Sequence, residues 1–489
     1  MSRGWIALRL WLVCIFVATP SIPAWGVSGK SDPKKHAEAR LIADAAMEHL
    51  RVQGRMPGLQ AAVAVGGEVV WAYFADAAEL HDPQDTPTSY RIASISKSLT
   101  GMVLAMLAAE GVLSLDAPIG ELCDELPEHV RAITPRQLAS HTSGIRHYRG
   151  SESRLNHRFV DLNSALAIFV NDPLVHTPGA RYTYSTYGYT LLGVVMERAA
   201  GMPFHELLNS RLFIPLGLTS TDVEGPNART ARLVPAFSYD RRGNPVRAAP
   251  TDHTYKIPGG GMVSTARDLV RFGAVLAAPG GRYAEALRLM TEIVPLTEGG
   301  RTSYGLGIQV GRRPSGSVRL GHSGSQPGAT SRLLIDVDRH AAAAMLANID
   351  RAPFNDHEVG FLIDVFTGRH LDNLPEVPAD IFDFTGGWRL VLSGAQNPPV
   401  ELHLNADKAT LHIDDEVIPL TIVLNAGGRL AAIGFSDRLV AVDLGTSGEQ
   451  VHGHASIRGH GPVSVSRLHA PQAIESPEAL QASPPIGRD

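Results

Sequence analysis

Cysteine is almost absent from this chain of 489 residues, which contains only Cys14 and Cys123. Cys14 lies in an apolar run near the N-terminus that has the features of a cleaved leader. Cys123 would then be alone in the mature chain, which excludes an internal disulfide. Because Cys123 has no neighbours at metal-ligand spacing, we expect it to be a buried structural thiol.

The chain also lacks a strong excess of charge of either sign. It has 44 Lys and Arg against 49 Asp and Glu, and the basic residues occur in pairs rather than in runs. This distribution gives no case for nucleic acid or for an anionic membrane as a partner. The remaining composition, 44% hydrophobic and 19% charged, is that of an ordinary globular protein.

Long apolar runs are missing except for Leu10 to Ala18, which follows two arginines and precedes the triplet Ala24-Trp25-Gly26. This pattern predicts a signal peptide over residues 1–26 and an exported chain, periplasmic or secreted. An uncleaved N-terminal anchor and an organelle presequence are the alternatives. The run is too short to favour a spanning helix, so we expect no stable membrane span after cleavage.

Strand patterns occur at both ends of the region 37–370, and mainly helical patterns lie between them. A helix at 37–53 precedes a hairpin around Gly66-Gly67. Four late strands, at 303–310, 317–322, 331–337 and 341–348, precede a helix at 354–367. This order predicts an α+β fold in which one antiparallel sheet, flanked by helices, is assembled from both ends and a helical lobe is inserted. The site would lie at the junction of the two lobes.

The C-terminal part of the chain changes character after a Pro-containing linker at 372–379. Residues 401–404 and 410–413 alternate as half-buried strands do. We expect a separate all-β domain over 380–470, a partial barrel, and a disordered tail over 471–489.

Lysine is scarce after residue 40, where only Lys97, Lys256 and Lys408 occur. Lys97 follows Ser94 by three residues at the start of an apolar helical pattern from Ile95 to Ala109, so the two side chains can meet. A partly desolvated lysine can lose its proton, which would place a base beside a nucleophile. The alternatives are a helix N-cap for Ser94 and a snorkelling stem for Lys97. Spacing alone does not decide, because Ser31 and Lys34 share it.

Four further stretches make this interpretation more specific. They are Ser140-His141-Thr142-Ser143-Gly144, Tyr182 to Tyr189, Pro258 to Thr265 and Gly321 to Ser325. Together with Ser94-x-x-Lys97, they resemble the serine β-lactamase and penicillin-binding-protein family, above all class C enzymes, their esterase and D-aminopeptidase relatives, and β-lactamase-like serine proteases. The resemblance covers about residues 37–367 and leaves the β domain outside.

The resemblance implies a role for each matching position. Ser94 is the acylated nucleophile, Lys97 its base, and Tyr184 the tyrosine that helps carry the proton to the leaving group. A tyrosine beside a lysine can have its pKa lowered enough to act as a base. His322-Ser323-Gly324 matches the Lys-Thr-Gly strand motif, and the N–H groups of Ser94 and Ser325 form the oxyanion hole.

Two positions depart from the family pattern. Thr186 replaces the usual Asn of the substrate-binding set, and His322 replaces the usual Lys. An ordinary histidine, with a pKa of about 6.5, is mostly neutral at pH 7, so its attraction for a substrate carboxylate would be weak there and grow on acidification. Both departures argue against efficient penicillin turnover.

The sequence therefore predicts an exported serine hydrolase that acts through an acyl-enzyme on an ester, amide or peptide bond of a small molecule or peptide, with no cofactor. The first alternative is a β-lactamase or D-Ala-D-Ala carboxypeptidase acting on penicillins or cell-wall peptides. An alternative of another class is a catalytically silent peptide- or cell-wall-binding protein. No metal motif accompanies the twenty histidines. His141 and His147 are expected to make structural hydrogen bonds, and Gly259 to Gly261 a tight turn lining the cleft.

Overall fold

The computed structural model describes residues 36–76, 88–226, 232–278, 280–312 and 318–367, and most of the chain between 386 and 467. The predicted signal peptide, linker and tail lie outside the described residues. None of the helices within these ranges combines the length and apolar character that a membrane crossing requires.

The bounds of the strands and helices in the described chain are as follows. The strands are β1 Gly58–Val65, β2 Glu68–Asp76, β3 Thr88–Arg91, β4 Asp222–Val223, β5 Arg232–Leu233, β6 Phe237–Tyr239, β7 Pro245–Arg247, β8 Met262–Ser264, β9 Gln309–Arg312, β10 Val318–Gln326, β11 Ala329–Asp336, β12 Ala341–Ala347, β13 Gly386–Leu392, β14 Val400–Leu404, β15 Ala409–Ile413, β16 Glu416–Ala426, β17 Arg429–Phe435, β18 Leu439–Ser447, β19 Gln450–Ser456 and β20 His460–Arg467. The helices are α1 Ala37–Gln53, α2 Ser96–Ala109, α3 Glu128–Arg131, α4 Pro135–Ala139, α5 Leu162–Ala165, α6 Thr186–Ala200, α7 Phe204–Leu208, α8 Ile257–Gly260, α9 Ala266–Ala277, α10 Ala284–Thr291 and α11 Asp356–Thr367.

The main sheet has six strands in the order β2-β1-β12-β11-β10-β9, and all its pairings are antiparallel. Its first two strands come from the start of the domain, and the other four follow the helical region. The predicted α+β fold, with one sheet built from both ends of the domain, is confirmed.

The central strands of this sheet are buried on both faces. Because side chains alternate across a strand, Ala62 and Ala342 join the core that contains α2 and α9. Ala61 and Ala343 join the core that contains α1 and α11. Small residues let the helices approach closely: a Cβ on Gly273 of α9 would lie 2.7 Å from the Cβ of Ala342.

The prediction of a first late strand at 303–310 is wrong over most of its length, because β9 begins only at Gln309. Residues 303–308 pack against the helical lobe instead. The Leu306 N–H donates to the carbonyl of Met290 at 2.8 Å, and a Cβ on Gly305 would lie 2.1 Å from the same oxygen. The helical region also contains short strands that the sequence did not indicate, β3 to β8.

The eight strands β13 to β20 form a closed antiparallel barrel, where the sequence predicted a partial one. Closure occurs because β13 pairs with both β14 and β20, which leaves no unpaired edge. On β17, Leu430 and Ala432 face the barrel core. The alternate residues Ala431 and Ile433 pack into the cluster that contains α1 and α11. The barrel therefore contacts the hydrolase-like domain through the outer face of β17.

Candidate active site

Ser94 lies in a short 3₁₀ turn, Ala93–Ile95, that leads directly into α2. Ala93 has a φ of +45°, a left-handed conformation that costs a non-glycine residue about 1–2 kcal/mol. Neighbouring hydroxyls hold the turn: Ser331 Oγ donates to the Ile92 carbonyl at 2.7 Å, and Ser96 Oγ donates to the Ala93 carbonyl at 2.7 Å. Packing thus supports a strained turn that presents Ser94 at the helix start.

Strand β10 passes close to this turn because residue 324 has no side chain. A Cβ on Gly324 would lie 2.4 Å from the Ile92 carbonyl oxygen and 2.1 Å from Ser331 Oγ. Gly324 therefore brings the following residue, Ser325, to the same cavity as Ser94. This placement accords with the role predicted for the two backbone N–H groups.

Lys97 is fully buried on α2, one turn after Ser94. Its Nζ lies 3.2 Å from Ser94 Oγ, 3.2 Å from Thr186 Oγ1 and 2.5 Å from the carbonyl oxygen of Gly259. Burial, with a smaller contribution from the charge of Lys256, holds the pKa of Lys97 well below its usual value. A neutral amine has two N–H donors and one lone pair. Donation to Gly259 and Thr186 leaves the lone pair for the Ser94 hydroxyl.

The carbonyl of Gly259 reaches Lys97 because α8 lies against α6 without an intervening side chain. A Cβ on Gly259 would lie 2.7 Å from Thr186 Cγ2. Gly259 and Gly260 also line the cavity. The glycine stretch is thus a short helical turn in the cleft wall.

Tyr184 lines the cavity, and the Lys97 Nζ lies 4.8 Å from the centre of its ring. Burial raises the pKa of Tyr184 above its usual range, and the neighbouring Ser94 side chain opposes this only weakly. The expectation of a lowered pKa is therefore wrong, because burial disfavours the charged phenolate and outweighs the hydrogen bond with Ser94. Tyr184 is a phenol at neutral pH, which suits a proton donor rather than a base.

Two histidines hold the segment that carries Tyr184. The N–H of Ser185 donates to His141 Nδ1 at 3.2 Å, and the N–H of Thr186 donates to His147 Nδ1 at 3.2 Å. Ser185 also caps α6 by accepting from the N–H of Gly188 at 3.0 Å. These contacts are of the structural kind expected for both histidines, although His147 also lines the cavity.

His322 lines the cavity but uses both ring nitrogens within the protein. Its Nε2 lies 2.6 Å from Tyr304 Oη, and its Nδ1 lies 2.6 Å from the Ser323 carbonyl oxygen. Since a carbonyl can only accept, Nδ1 carries the proton and Tyr304 donates to Nε2. Burial is the main cause that lowers the pKa of His322 to about 3, and electrostatic repulsion from Lys97 is the second. The expected growth of positive charge near pH 6.5 is therefore wrong.

These residues meet in one cavity of about 440 Å³ at the junction of the sheet and the helical lobe, a volume typical of small-molecule sites. Of the predicted site residues, those whose side chains or backbone line it are Ser94, Tyr184, Thr186, His322, Ser323 and Ser325. Lys97 lies beneath it, and Gly324 shapes it from behind. The described residues contain no group of three or more His, Cys, Asp or Glu side chains arranged to hold a metal ion.

The sequence interpretation assigned no role to Lys256, which also lines this cavity. The only available signal was the scarcity of lysine after residue 40. That scarcity identified Lys97 and Lys256 equally, but only Lys97 belongs to a motif of recognised spacing.

A sequence model of the β-lactamase family matches residues 43–365. The human serine beta-lactamase-like protein LACTB, mitochondrial, is 27% identical over 64% of this chain and 75% of its own length. Penicillin-binding protein 4* of Bacillus subtilis is 24% identical over 65% of this chain and 74% of its own.

Solved structures show the same fold. A D-stereospecific amidohydrolase from Streptomyces has a TM-score of 0.53 and 28% identity, over 66% of this chain and 97% of its own. The octameric penicillin-binding protein homologue from Pyrococcus abyssi has a TM-score of 0.57 over 86% of this chain and 99% of its own, at 19% identity. The family match spans well over half of the chain and includes every residue of the candidate site, so this protein belongs to the β-lactamase family.

Proposed function

We propose that this protein is an exported serine hydrolase that acts through an acyl-enzyme on an ester, amide or peptide bond. The observation that carries the proposal is the position of the Lys97 Nζ, 3.2 Å from Ser94 Oγ, with two other acceptors occupying its N–H groups. A buried neutral amine aimed at a hydroxyl is a base beside a nucleophile.

In the acylation step, Lys97 takes the proton of Ser94 as Oγ attacks the substrate carbonyl. The oxyanion lies against the backbone N–H groups of Ser94 and Ser325. The leaving amine or alcohol receives a proton from Tyr184, which Lys97 restores, so the serine proton reaches the leaving group. Water then attacks the acyl-enzyme as Lys97 accepts its proton, and Lys97 passes that proton to Ser94 Oγ as the bond to the acyl group breaks. The chain's own residues suffice for these steps, and the proposal includes no cofactor.

The substrate follows from the part of the cleft near Tyr184. His322 is neutral and already hydrogen-bonded, and Thr186 Oγ1 already accepts from Lys97. Neither offers the charge or the amide that would hold a carboxylate next to the scissile bond. Esters, amides and peptides neutral at that position are therefore favoured over penicillins and D-Ala-D-Ala peptides. The similarity to a D-stereospecific amidohydrolase supports an amide as one of the bonds that this chain hydrolyses.

Export rests on the N-terminal sequence alone, with its two arginines, short apolar run and small-x-small triplet. Expression of the full chain with a C-terminal tag in a bacterial host tests it. Cleavage near Gly26 and recovery from the periplasm or medium is the expected result. An intact N-terminus in the cytoplasmic fraction would contradict export.

Covalent labelling tests the chemistry and separates an enzyme from a silent binding protein. A fluorophosphonate should label the folded protein stoichiometrically, and peptide mass spectrometry should place the adduct on Ser94. A folded protein that remains unlabelled would favour the binding-protein alternative. An adduct on another serine, such as the buried Ser96, would contradict the assignment of the nucleophile.

A further inference from the structure

Lys256 is a second buried lysine in the candidate active-site cavity. It ends a 3₁₀ turn, Thr254–Lys256, directly before α8. Only 3% of its surface is exposed, and that surface faces the cavity that Ser94 lines. Its stem runs along the glycine turn, because Cε lies 3.8 Å from the position of a Cβ on Gly260.

The ammonium group of Lys256 is not neutralised by a direct contact. Its Nζ lies over the rings of Tyr148 and Tyr255, 5.7 Å and 5.4 Å from their centres. Within the described part of the chain, it makes no hydrogen bond or ion pair. A buried charge without a hydrogen-bonded partner is unfavourable. An anionic group entering the cavity would supply that partner.

The carboxylate whose charge acts on Lys256 is already engaged by other residues. Glu224 accepts from Arg91 Nε at 3.0 Å and lies 2.7 Å from His253 Nδ1. It acts on Lys256 only at a distance, and its charge is offset by Arg91. Although burial lowers the pKa of Lys256 to about 8, the group is still mostly charged at pH 7.

Lys256 and the proton donor line the same cavity from different elements. Lys256 precedes α8 and lies beside Tyr148 and Tyr255, whereas Tyr184 precedes α6 and packs against His141, with 4.2 Å between the ring centres. The leaving group must lie near Tyr184, which protonates it. A substrate group that pairs with Lys256 therefore belongs to the acyl part of the substrate.

We propose that Lys256 binds a carboxylate at the far end of the substrate's acyl group, so that the preferred substrates are esters or amides of a dicarboxylic acid or an acidic acyl residue. This inference rests on the proposed acyl-enzyme function. Two arginines, Arg154 and Arg351, also line the cavity in the described part of the chain, but both are exposed at its rim. Arg351 also has a carboxylate nearby, because its Nε lies 4.0 Å from Asp350 Oδ2.

Two esters that differ only at the far end of the acyl chain test the proposal. The mono-4-nitrophenyl ester of adipate carries a carboxylate where 4-nitrophenyl hexanoate carries a methyl group. At pH 7, after subtraction of spontaneous hydrolysis, the wild-type protein should have the higher kcat/KM for the adipate ester. Lys256→Met should lower the adipate-to-hexanoate ratio of kcat/KM by about ten- to a hundredfold, the effect of losing a hydrogen bond to a charged group.

Two further variants control this measurement. Lys256→Arg keeps the charge and should retain most of the ratio, and it serves if the Met variant does not fold. Lys408→Met makes the same change at an exposed lysine of the barrel and should leave the ratio unchanged. A collapse of the ratio in Arg154→Met rather than in Lys256→Met would overturn the proposal in favour of recognition at the rim.

Other results overturn the proposal independently of the proposed function. A wild-type preference for hexanoate does so without any variant. If Lys256 acted only by holding Lys97 neutral, Lys256→Met would slow both esters equally, and an unchanged ratio would refute carboxylate binding. In both cases Ser94 would still be labelled, so the hydrolase proposal would stand. Failure of labelling and of both hydrolyses would refute the two proposals together.

Discussion

Two buried basic side chains line the cleft in opposite circumstances. His322 has a hydrogen-bonding partner on each ring nitrogen and is neutral. Lys256 has aromatic rings near its Nζ but no hydrogen-bonding partner among the described residues. The partners of a side chain, rather than its residue type, therefore decide which of the two can attract an anion.

The two buried lysines extend the comparison. Lys97 has three oxygen atoms around its Nζ and a pKa far below the usual value. Lys256 has none of these contacts, and burial lowers its pKa to about 8. The same residue type is thus suited to proton transfer in one position and to charge recognition in the other.

The largest expected effect comes from removing the nucleophile. Ser94→Ala should abolish turnover of every ester, acidic or neutral, because no other hydroxyl is presented with Lys97. Initial rates and thermal unfolding are the measurements, and the melting temperature should change little. Residual turnover with the wild-type ratio of acidic to neutral substrates would place the chemistry elsewhere.

The contrast between the lysines is tested next by Lys97→Arg. Arginine keeps a positive charge but cannot act as a base, so kcat/KM for a neutral ester should fall at least about a hundredfold. If charge alone were required at this position, turnover would stay near normal. Labelling rates with a fluorophosphonate should fall in parallel, because they depend on the same proton transfer.

A permanent charge at position 322 should shift the preference of the enzyme between acidic and neutral substrates. His322→Lys should raise the ratio of kcat/KM for a penicillin-like acid over a neutral ester by about tenfold, equivalent to about 1.4 kcal/mol of new charge pairing. In the wild type this ratio should be flat from about one unit below to about one and a half units above the ordinary histidine pKa, since the pKa of His322 is about 3. A wild-type ratio that rises on acidification would show that His322 becomes charged.

The smallest effect on catalysis should come from removing the C-terminal barrel. None of the described barrel residues lines the cavity. A chain ending near Leu374 should therefore retain Ser94 labelling and turnover of a small ester. Its melting temperature should fall, because Ala431 and Ile433 no longer cover the cluster around α1. Loss of labelling in a soluble truncated chain would mean that the barrel supports the cleft.

Much of the fold follows from local sequence patterns. The helix at 37–53 has the expected bounds and the hairpin turns at Gly66-Gly67 as expected, because apolar periodicity and turn chemistry act over a few residues. The segment 303–308 shows where such patterns fail. Its length suits a strand, but the segment packs against α10 at Gly305 instead of pairing in a strand ladder. A local sequence pattern does not distinguish the two arrangements.

The sequence by itself determined the family and brought together Ser94, Lys97, Tyr184 and the β10 motif, because their residue types and spacings are local signals. Only the tertiary structure decided their chemical states. Burial keeps Tyr184 protonated and His322 neutral, and Tyr304, which is eighteen positions away in the chain, donates to the ring of His322. It also decided that Lys256 lies in the cleft and that the barrel closes through β13 and β20. Desolvation and long-range pairing depend on neighbours that are distant in sequence, so no short motif contains them.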